Sequence, residues 1–365
     1  MIGTLEGLYT RSANNAFYQN LALSGPTGVL DRNGRVLYGT LTAAGASAAL
    51  VTPGRNQIID VTNSSGDYTW SVTGQLQKAF SMNFEGSVAY TYQQARDVVS
   101  VTSSTQGSNY RYQRDVSGRL DDMSVTRSKY DQPHRIVATG TYRFPSLTDV
   151  SFIYTGNSGA PYDYVYGSNG GSTGDLNADG QSQNDLIYVP TDARNPSEML
   201  FTGFDNGNNK TPADAAAQAA AFENFINSTP CLNKARGTIL TRNACRNPWV
   251  NEVDVSIAQS LGVVGALFGN RAISSQNLQL RFDIINFGNL LNSNWGRQAF
   301  SDQGSTCGQI CSATIALTHV KNFIPAGGNS ANAQGVFTFD PNFKAYNSDN
   351  ASSNYRMQLS LRYSF

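Results

Sequence analysis

Residues 355–365 read YRMQLSLRYSF, and this stretch decides the fold class. Apolar or aromatic side chains alternate with polar ones without interruption: one set is Tyr355, Met357, Leu359, Leu361, Tyr363 and Phe365, and the other is Arg356, Gln358, Ser360, Arg362 and Ser364. Successive side chains of a β-strand point to opposite faces of the sheet. A period of two therefore predicts a strand with one apolar and one polar face.

The same period recurs along the chain. Residues 82–93 set Met82, Phe84, Val88, Tyr90 and Tyr92 against Asn83, Glu85, Ser87, Thr91 and Gln93. Further stretches with this pattern are 67–80, 134–144, 149–156, 250–261 and 276–287, and a weaker one is 2–11. We predict eight strands, most of them close to the ~9–11 residues that cross a bilayer obliquely.

The composition differs from that of an ordinary soluble domain. Charged residues make up 14% of the 365 residues, against about 25% in a typical soluble domain. Lys+Arg and Asp+Glu are balanced at 26 each, which argues against a nucleic-acid partner. No run reaches the ~18 apolar residues of a membrane helix. With Tyr and Phe at 18 each, this composition favours a membrane β-barrel, and a secreted soluble β-protein is an alternative.

Connection lengths discriminate between these two alternatives. Short connections join 67–80 to 82–93, 134–144 to 149–156 and 250–261 to 276–287, whereas long ones cover 13–66, 94–133, 157–249 and 288–354. Strict alternation of short and long connections is typical of outer-membrane barrels, which have short periplasmic turns and long extracellular loops. The sequence therefore predicts an all-β fold, the antiparallel wall of a transmembrane β-barrel with about eight strands, open if alone.

The first residues contain no export signal. Met1 to Glu6 have neither a basic n-region nor an apolar h-region, so we expect no signal peptide, and a strand pattern begins almost at once. Because an outer-membrane protein must be exported, we interpret Met1 as an internal start. Residues 1–365 would then be the C-terminal part of a barrel, without a plug domain.

The four cysteines fall into two pairs along the chain, Cys231 with Cys245 and Cys307 with Cys311. Neither spacing resembles a zinc ribbon or a zinc finger. An even count in Gly- and Asn-rich segments favours two disulfides in an oxidising compartment. Free thiols and a metal site are the alternatives.

One acidic segment predicts a cation site. In residues 175–180, DLNADG, the side chains of Asp175, Asn177 and Asp179 match positions 1, 3 and 5 of a calcium loop, and Gly180 matches position 6. Position 12, a bidentate Glu in such loops, is Leu186 here, so a neighbouring side chain would close the shell. A loop ordered by its own side-chain-to-backbone hydrogen bonds is the alternative to bound Ca²⁺. The predicted ligands are Asp175, Asn177, Asp179, the carbonyl of Gln181, and Asp185 or Asn184.

Catalysis has little support in the sequence. His134 and His319 are the only imidazoles. His134 follows Asp131 near the expected extracellular rim, where an Asp/His pair could activate water, but the flanking Pro133 and Arg135 favour a structural role at the start of a strand. No Gly-x-Ser-x-Gly elbow is present. We predict that the chain is not an enzyme and that no residue is catalytic.

Three loop motifs are distinctive. They are DQPHR at 131–135, the stretch from Gly174 to Gly180 continued by NDLIYVP at 184–190, and the segment 225–249, which contains FIN, PCL, RG, RN, CR and PW. These motifs resemble those of TonB-dependent receptors with an Oar-like β-barrel. The resemblance covers nearly the whole chain. It implies a barrel of about 22 strands with a plugged lumen, driven by TonB, of which this chain supplies the C-terminal barrel segment.

The resemblance also implies partners. These are outer-membrane lipid, the missing N-terminal strands and plug, TonB acting through that plug, and barrel-assembly machinery that reads the aromatic end at Phe365. The expected function is ligand uptake at the outer membrane. We expect that this chain is not competent for uptake alone, without the other strands and the plug. A passive structural or adhesive barrel is the runner-up function.

Overall fold

The computed structural model describes residues 1–168, 174–203, 214–262, 269, 277–300, 314–324, 333–348 and 350–364. Eight strands form one antiparallel wall, and each strand pairs with the next wall strand along the chain. The strands are β1 (Ile2–Arg11), β2 (Tyr68–Ser81), β3 (Phe84–Asp97), β4 (His134–Arg143), β5 (Thr148–Asn157), β6 (Val250–Ser260), β7 (Asn277–Ile285) and β8 (Arg356–Ser364). The predicted all-β fold class is confirmed.

The turn between β2 and β3 corrects one predicted boundary. Met82 and Asn83, which the pattern placed at the start of a strand, both have positive φ angles, 51° and 60°. Ser81 pairs with Phe84 across them. Two central residues with φ above zero match the right-handed twist of the flanking strands, as in a type I′ hairpin. The strand therefore begins at Phe84.

One face of the wall is apolar from β2 to β8. Residues directly opposite each other in antiparallel strands lie on the same face. Val255 of β6 is opposite Phe152 on one side and Ile284 on the other. The same face continues through β7 and β8, where the pairs are Phe282 with Leu359 and Leu280 with Leu361.

This apolar face is not covered by other described parts of the chain. Leu359 is 68% exposed and Leu361 is 62% exposed. Neither they nor Leu280 and Phe282 belong to the enclosed clusters of buried residues that the described chain contains. The prediction that the apolar face points away from any closed core agrees with this arrangement.

The opposite face is polar and hydrogen-bonded across strands. Hydroxyl pairs link Thr73 to Thr91 at 2.9 Å and Ser87 to Thr139 at 2.8 Å. Further along, the Arg143 guanidinium pairs with the Asp149 carboxylate of the neighbouring strand at 2.7 Å. A polar face of this kind suits an aqueous or plugged lumen.

The long connections all leave the same end of the wall and contain their own secondary structure. Helices are α1 (Gln106–Arg111), α2 (Ala215–Ser228), α3 (Pro230–Lys234), α4 (Phe287–Leu291) and α5 (Asn350–Ser353), with a 3₁₀ turn at Val116–Gly118. Two-stranded sheets pair Asn15–Asn20 with Ile59–Ser64, Gly39–Thr42 with Gly45–Ala48, Tyr188–Val189 with Thr238–Ile239, and Ala299–Phe300 with Asn347–Ser348. The short strand Thr126–Arg127 pairs antiparallel with the end of β3.

A five-stranded mixed sheet joins the third and fourth long connections. Its strands, in order, are Leu200–Phe201, Gln334–Thr338, Thr314–Ile324, Pro161–Ser168 and Cys245–Arg246. Pro161–Ser168 runs parallel to Thr314–Ile324. The sequence predicted only long connections here, so this external sheet is an addition that alternation alone did not indicate.

The wall is open across the described residues. β1 pairs only with β2, and β8 pairs only with β7. No described helix is long and apolar enough to span a membrane. We refer below to the described residues of the long connections, which lie within 12–67, 98–133, 158–249 and 286–355, as the external domain.

Candidate functional site

The external domain has a hydrophobic core of its own. Tyr164, Tyr166, Phe222 and Phe337 are fully buried within it, and Leu37 of the first long connection joins the same cluster. Asp214 caps α2 by accepting a hydrogen bond from the Ala217 N–H at 2.6 Å. This core holds segments from three different connections in fixed positions, which is the requirement for a preorganised site.

The acidic loop, residues 175–185, is ordered by hydrogen bonds from its backbone to its own carboxylates. Asp175 accepts hydrogen bonds from the Asp179 N–H (3.1 Å) and the Gly180 N–H (2.9 Å). Asn177 Oδ1 accepts from the Asp179 N–H at 3.0 Å, and Asp179 accepts from the Gln181 N–H at 2.7 Å. Gly180 has a φ of 81°, a conformation that a side chain would strain. These contacts gather the Asp175, Asn177 and Asp179 oxygens on one turn.

Asp185 contacts both the backbone of the acidic loop and a buried arginine. One of its oxygens accepts from the Leu176 N–H at 2.6 Å, and the other lies 3.3 Å from Arg35 Nη1. Arg35 is buried and also contacts Asp31 and Asp115. Within the described parts of the chain, no three His, Cys, Asp or Glu side chains are placed to hold a metal ion together. The Asp185 carboxylate is thus shared between the backbone of the acidic loop and Arg35, and its role as a ligand, like metal binding itself, stays a prediction.

Asp175 and Asp179 are buried without an ion-pair partner in the described chain. Asp175 is 3% exposed and Asp179 is 0% exposed. Burial, followed by repulsion from Asp185, raises the pKa of Asp179 to about 7. Burial also raises the pKa of Asp175, with Asp179 adding to the effect. Two desolvated carboxylates of this kind favour either a proton or a cation between them.

A disulfide links α3 to the five-stranded sheet within the external domain. Cys231 of α3 is bonded to Cys245 of the five-stranded sheet, with 5.2 Å between the Cα atoms. This is the pairing that the sequence predicted. Cys307 and Cys311 lie outside the described residues, so their predicted pairing stays a prediction.

Loss of this disulfide is expected to loosen α3. Closing a loop of about 15 residues stabilises a fold by roughly 3 kcal/mol in the chain-entropy model. We expect the double variant Cys231→Ser/Cys245→Ser to speed amide hydrogen exchange across 230–246 by about two orders of magnitude, as that free energy implies. Exchange in Asn15–Asn20, which is remote from the bond, serves as the control. Equal rates at 230–246 in both proteins would contradict the expectation.

A cavity of about 930 Å³ opens beside the disulfide. Its volume lies within the range of small-molecule sites. No acidic side chain lines it among the described residues. The cationic lining residues are Arg127, Lys234, Arg246 and Lys344, and the aromatic ones are Tyr162, Phe225 and Tyr346.

Three arginines near this cavity share one carboxylate. Arg246 contacts Asp131 at 2.7 Å, Arg96 contacts it at 3.1 Å, and Arg127 lies 3.6 Å from it. Burial and the nearby Arg246 lower the pKa of Arg127. One negative charge cannot balance three positive ones, so the cluster gives the cavity an excess positive potential that attracts anions.

His134 and Asp131 do not form the pair that water activation would need. Asp131 is occupied by the Ala95 N–H at 2.8 Å and by the arginines. His134 Nδ1 contacts the Tyr90 hydroxyl at 2.8 Å, and its ring packs near Tyr92 and Trp249. This aromatic group lies at the end of the wall from which the long connections leave, which is typical of an interfacial girdle.

Comparison with protein families establishes the class. A family model described as outer membrane beta barrel domain matches residues 7–318. The chain belongs to this family of outer-membrane β-barrel domains, and its place is the outer membrane. No curated protein and no solved structure matches the chain.

Proposed function

We propose that this chain is the C-terminal barrel segment of a TonB-dependent outer-membrane receptor that takes up an anionic ligand. The cationic cavity of the external domain carries this proposal. The resemblance of the motifs at 131–135, 174–190 and 225–249 to TonB-dependent receptors with an Oar-like barrel supports the receptor class. An outer-membrane barrel is not a secreted protein, so the soluble alternative falls away.

The cavity favours a receptor over a passive structural or adhesive barrel. Adhesion relies on outer surfaces and does not need a cavity whose charged lining residues are all cationic. Here Lys234, exposed at the end of α3, and the Arg127 and Arg246 side chains converge on the same space. Aromatic walls beside cations suit a ligand that carries both an acidic group and an apolar or planar part.

The open wall supports a proposal about partners. Unpaired strand edges in hydrocarbon leave N–H and C=O groups without hydrogen bonds, so β1 and β8 would pair with further strands of a larger barrel. We propose that these strands enclose a plug contacted by TonB, and that barrel-assembly machinery reads Phe365. Outer-membrane lipid would surround the apolar face. We propose binding and transport without catalysis and without nucleic acid.

A retention and uptake experiment tests the proposal. Cells with the full-length protein are incubated in spent growth medium, and the anionic compounds they remove are measured by mass spectrometry. We expect Lys234→Glu to reduce removal at least tenfold, because it places a negative charge in the cavity. Arg55→Glu, which reverses an exposed charge that does not line the cavity, is the matched control.

The dependence on TonB separates a receptor from a passive barrel. In cells without TonB, the receptor should still bind the compounds at the surface but should not accumulate them. Equal removal of anionic compounds by wild type and by Lys234→Glu would contradict the proposal that the ligand is anionic. Accumulation that continues without TonB would contradict the receptor class.

A further inference from the structure

A buried oxygen points to a ligand in the acidic loop. Asn184 is 1% exposed, and its Nδ2 donates to Asp179 Oδ2 at 2.8 Å. Its Oδ1 is buried and accepts no hydrogen bond. The Asn184 amide therefore contacts the Asp179 carboxylate through its nitrogen, while its oxygen has no hydrogen-bond donor. Buried acceptors of this kind are rare unless another group, such as a cation, satisfies them.

The charges near Asp175 and Asp179 also point to a cation. Arg35 is the cation that contacts the neighbouring carboxylates in the described chain, and it is shared by Asp31, Asp115 and Asp185. Among the residues that the structure describes, no ion pair includes Asp175 or Asp179. Burying an ionised carboxylate without a partner is costly, and coordination of a cation offsets this cost.

We propose that the acidic loop binds one Ca²⁺ ion through Asp175, Asn177, Asp179, Asn184 and the main-chain carbonyl of Gln181. With Asp175 bidentate, these oxygens provide six ligands, within the range that Ca²⁺ accepts. The carboxylate oxygens that accept backbone N–H bonds keep lone pairs for the ion. Mg²⁺ fits less well, because it demands a near-ideal octahedron and retains its waters.

The ion would join two long connections. The Asn177 carbonyl accepts a hydrogen bond from the Tyr38 N–H at 2.7 Å. A Cβ added at Gly39 would lie 2.9 Å from the Ala178 carbonyl oxygen, so the two segments approach closely. Ordering of the loop by Ca²⁺ therefore orders the 36–41 segment with it. This inference is independent of the proposed uptake function.

Calorimetric titration tests the site. Full-length protein in detergent is stripped with EGTA and titrated with Ca²⁺, then separately with Mg²⁺. We expect one Ca²⁺ site with a dissociation constant on the order of 0.1–1 mM, as in extracellular modules. Asp179→Asn should weaken binding at least tenfold. Asp192→Asn, which neutralises a partly exposed carboxylate paired with Arg194, should leave it unchanged.

Hydrogen exchange separates loss of Ca²⁺ binding from loss of folding. Asp179→Asn removes a buried charge, so the variant should fold, which heat-modifiable migration on a gel verifies. In wild type, Ca²⁺ should slow exchange across 174–190 and 36–41, and in Asp179→Asn and Asn184→Ala it should not. Absence of Ca²⁺ heat and of protection in folded wild type would overturn the proposal. Unchanged Ca²⁺ affinity in folded Asp179→Asn would overturn it as well.

Discussion

Replacing Val255 by Arg is expected to destabilise the folded protein by about 2–4 kcal/mol, the cost of a lipid-facing Arg at the bilayer midplane. Val255 is the central residue of β6 and lies on the apolar face, opposite Phe152 and Ile284. A guanidinium there must be drawn into hydrocarbon or distort the bilayer to reach water. The effect should fall toward the strand ends, where the side chain can reach the interface.

The adjacent residue provides a matched control. Ser256 is opposite Ser151 and Asp283 on the polar face, so Ser256→Arg adds the same side chain to the other side of the same strand. We expect it to change stability by less than about 1 kcal/mol, as for an ordinary polar position. The measurement is the folded fraction in a urea titration of full-length protein in lipid vesicles. Equal losses for the two variants would be inconsistent with a lipid-facing Val255.

Expression of residues 1–365 alone behind a signal peptide is expected to give aggregation or degradation. β1 and β8 each have one edge without a partner in the described chain. Each unsatisfied backbone group in hydrocarbon costs several kcal/mol, so an open sheet is unstable in the bilayer. The absence of a folded species should be evident in the outer-membrane fraction, with the full-length protein expressed in parallel as the control.

Closure of these eight strands into a small barrel is the competing outcome, because eight strands can close. The polar face makes this unfavourable. An eight-stranded interior is only wide enough for close-packed side chains. Recovery of a heat-modifiable, protease-resistant monomer would show that the small barrel forms. An eight-stranded barrel would have to enclose the charged side chains of the polar face, which are Arg281, Asp283, Arg356 and Arg362.

The wall was predictable because its signal is local. Alternation sets the face of every residue, and short turns set which strands pair, so β7 was predicted at 276–287 and extends from Asn277 to Ile285. The boundary at Met82 was wrong because its apolar side chain fits the alternation, whereas the positive φ of the turn leaves no mark on that pattern.

The external domain was less predictable because its contacts are distant in sequence. Pro161–Ser168 pairs with Thr314–Ile324, and no turn or spacing connects the two. Asp185 was assigned to the cation loop by spacing, but its partner Arg35 is 150 residues away. The cationic cavity was missed for the same reason, since Arg127 and Arg246 meet only after the connections fold.

The orientation of the apolar face is tested most directly by cysteine substitution along β6. Full-length variants in intact outer membranes are treated with a membrane-impermeant maleimide, and wild type corrects for the native cysteines. If the apolar face contacts lipid, successive cysteines along β6 should alternate between protection from the maleimide and reaction with it. Uniform labelling, or alternation in the opposite phase, would contradict it. Labelling should be low at Val253, Val255 and Ile257, and high at Glu252, Asp254 and Ser256.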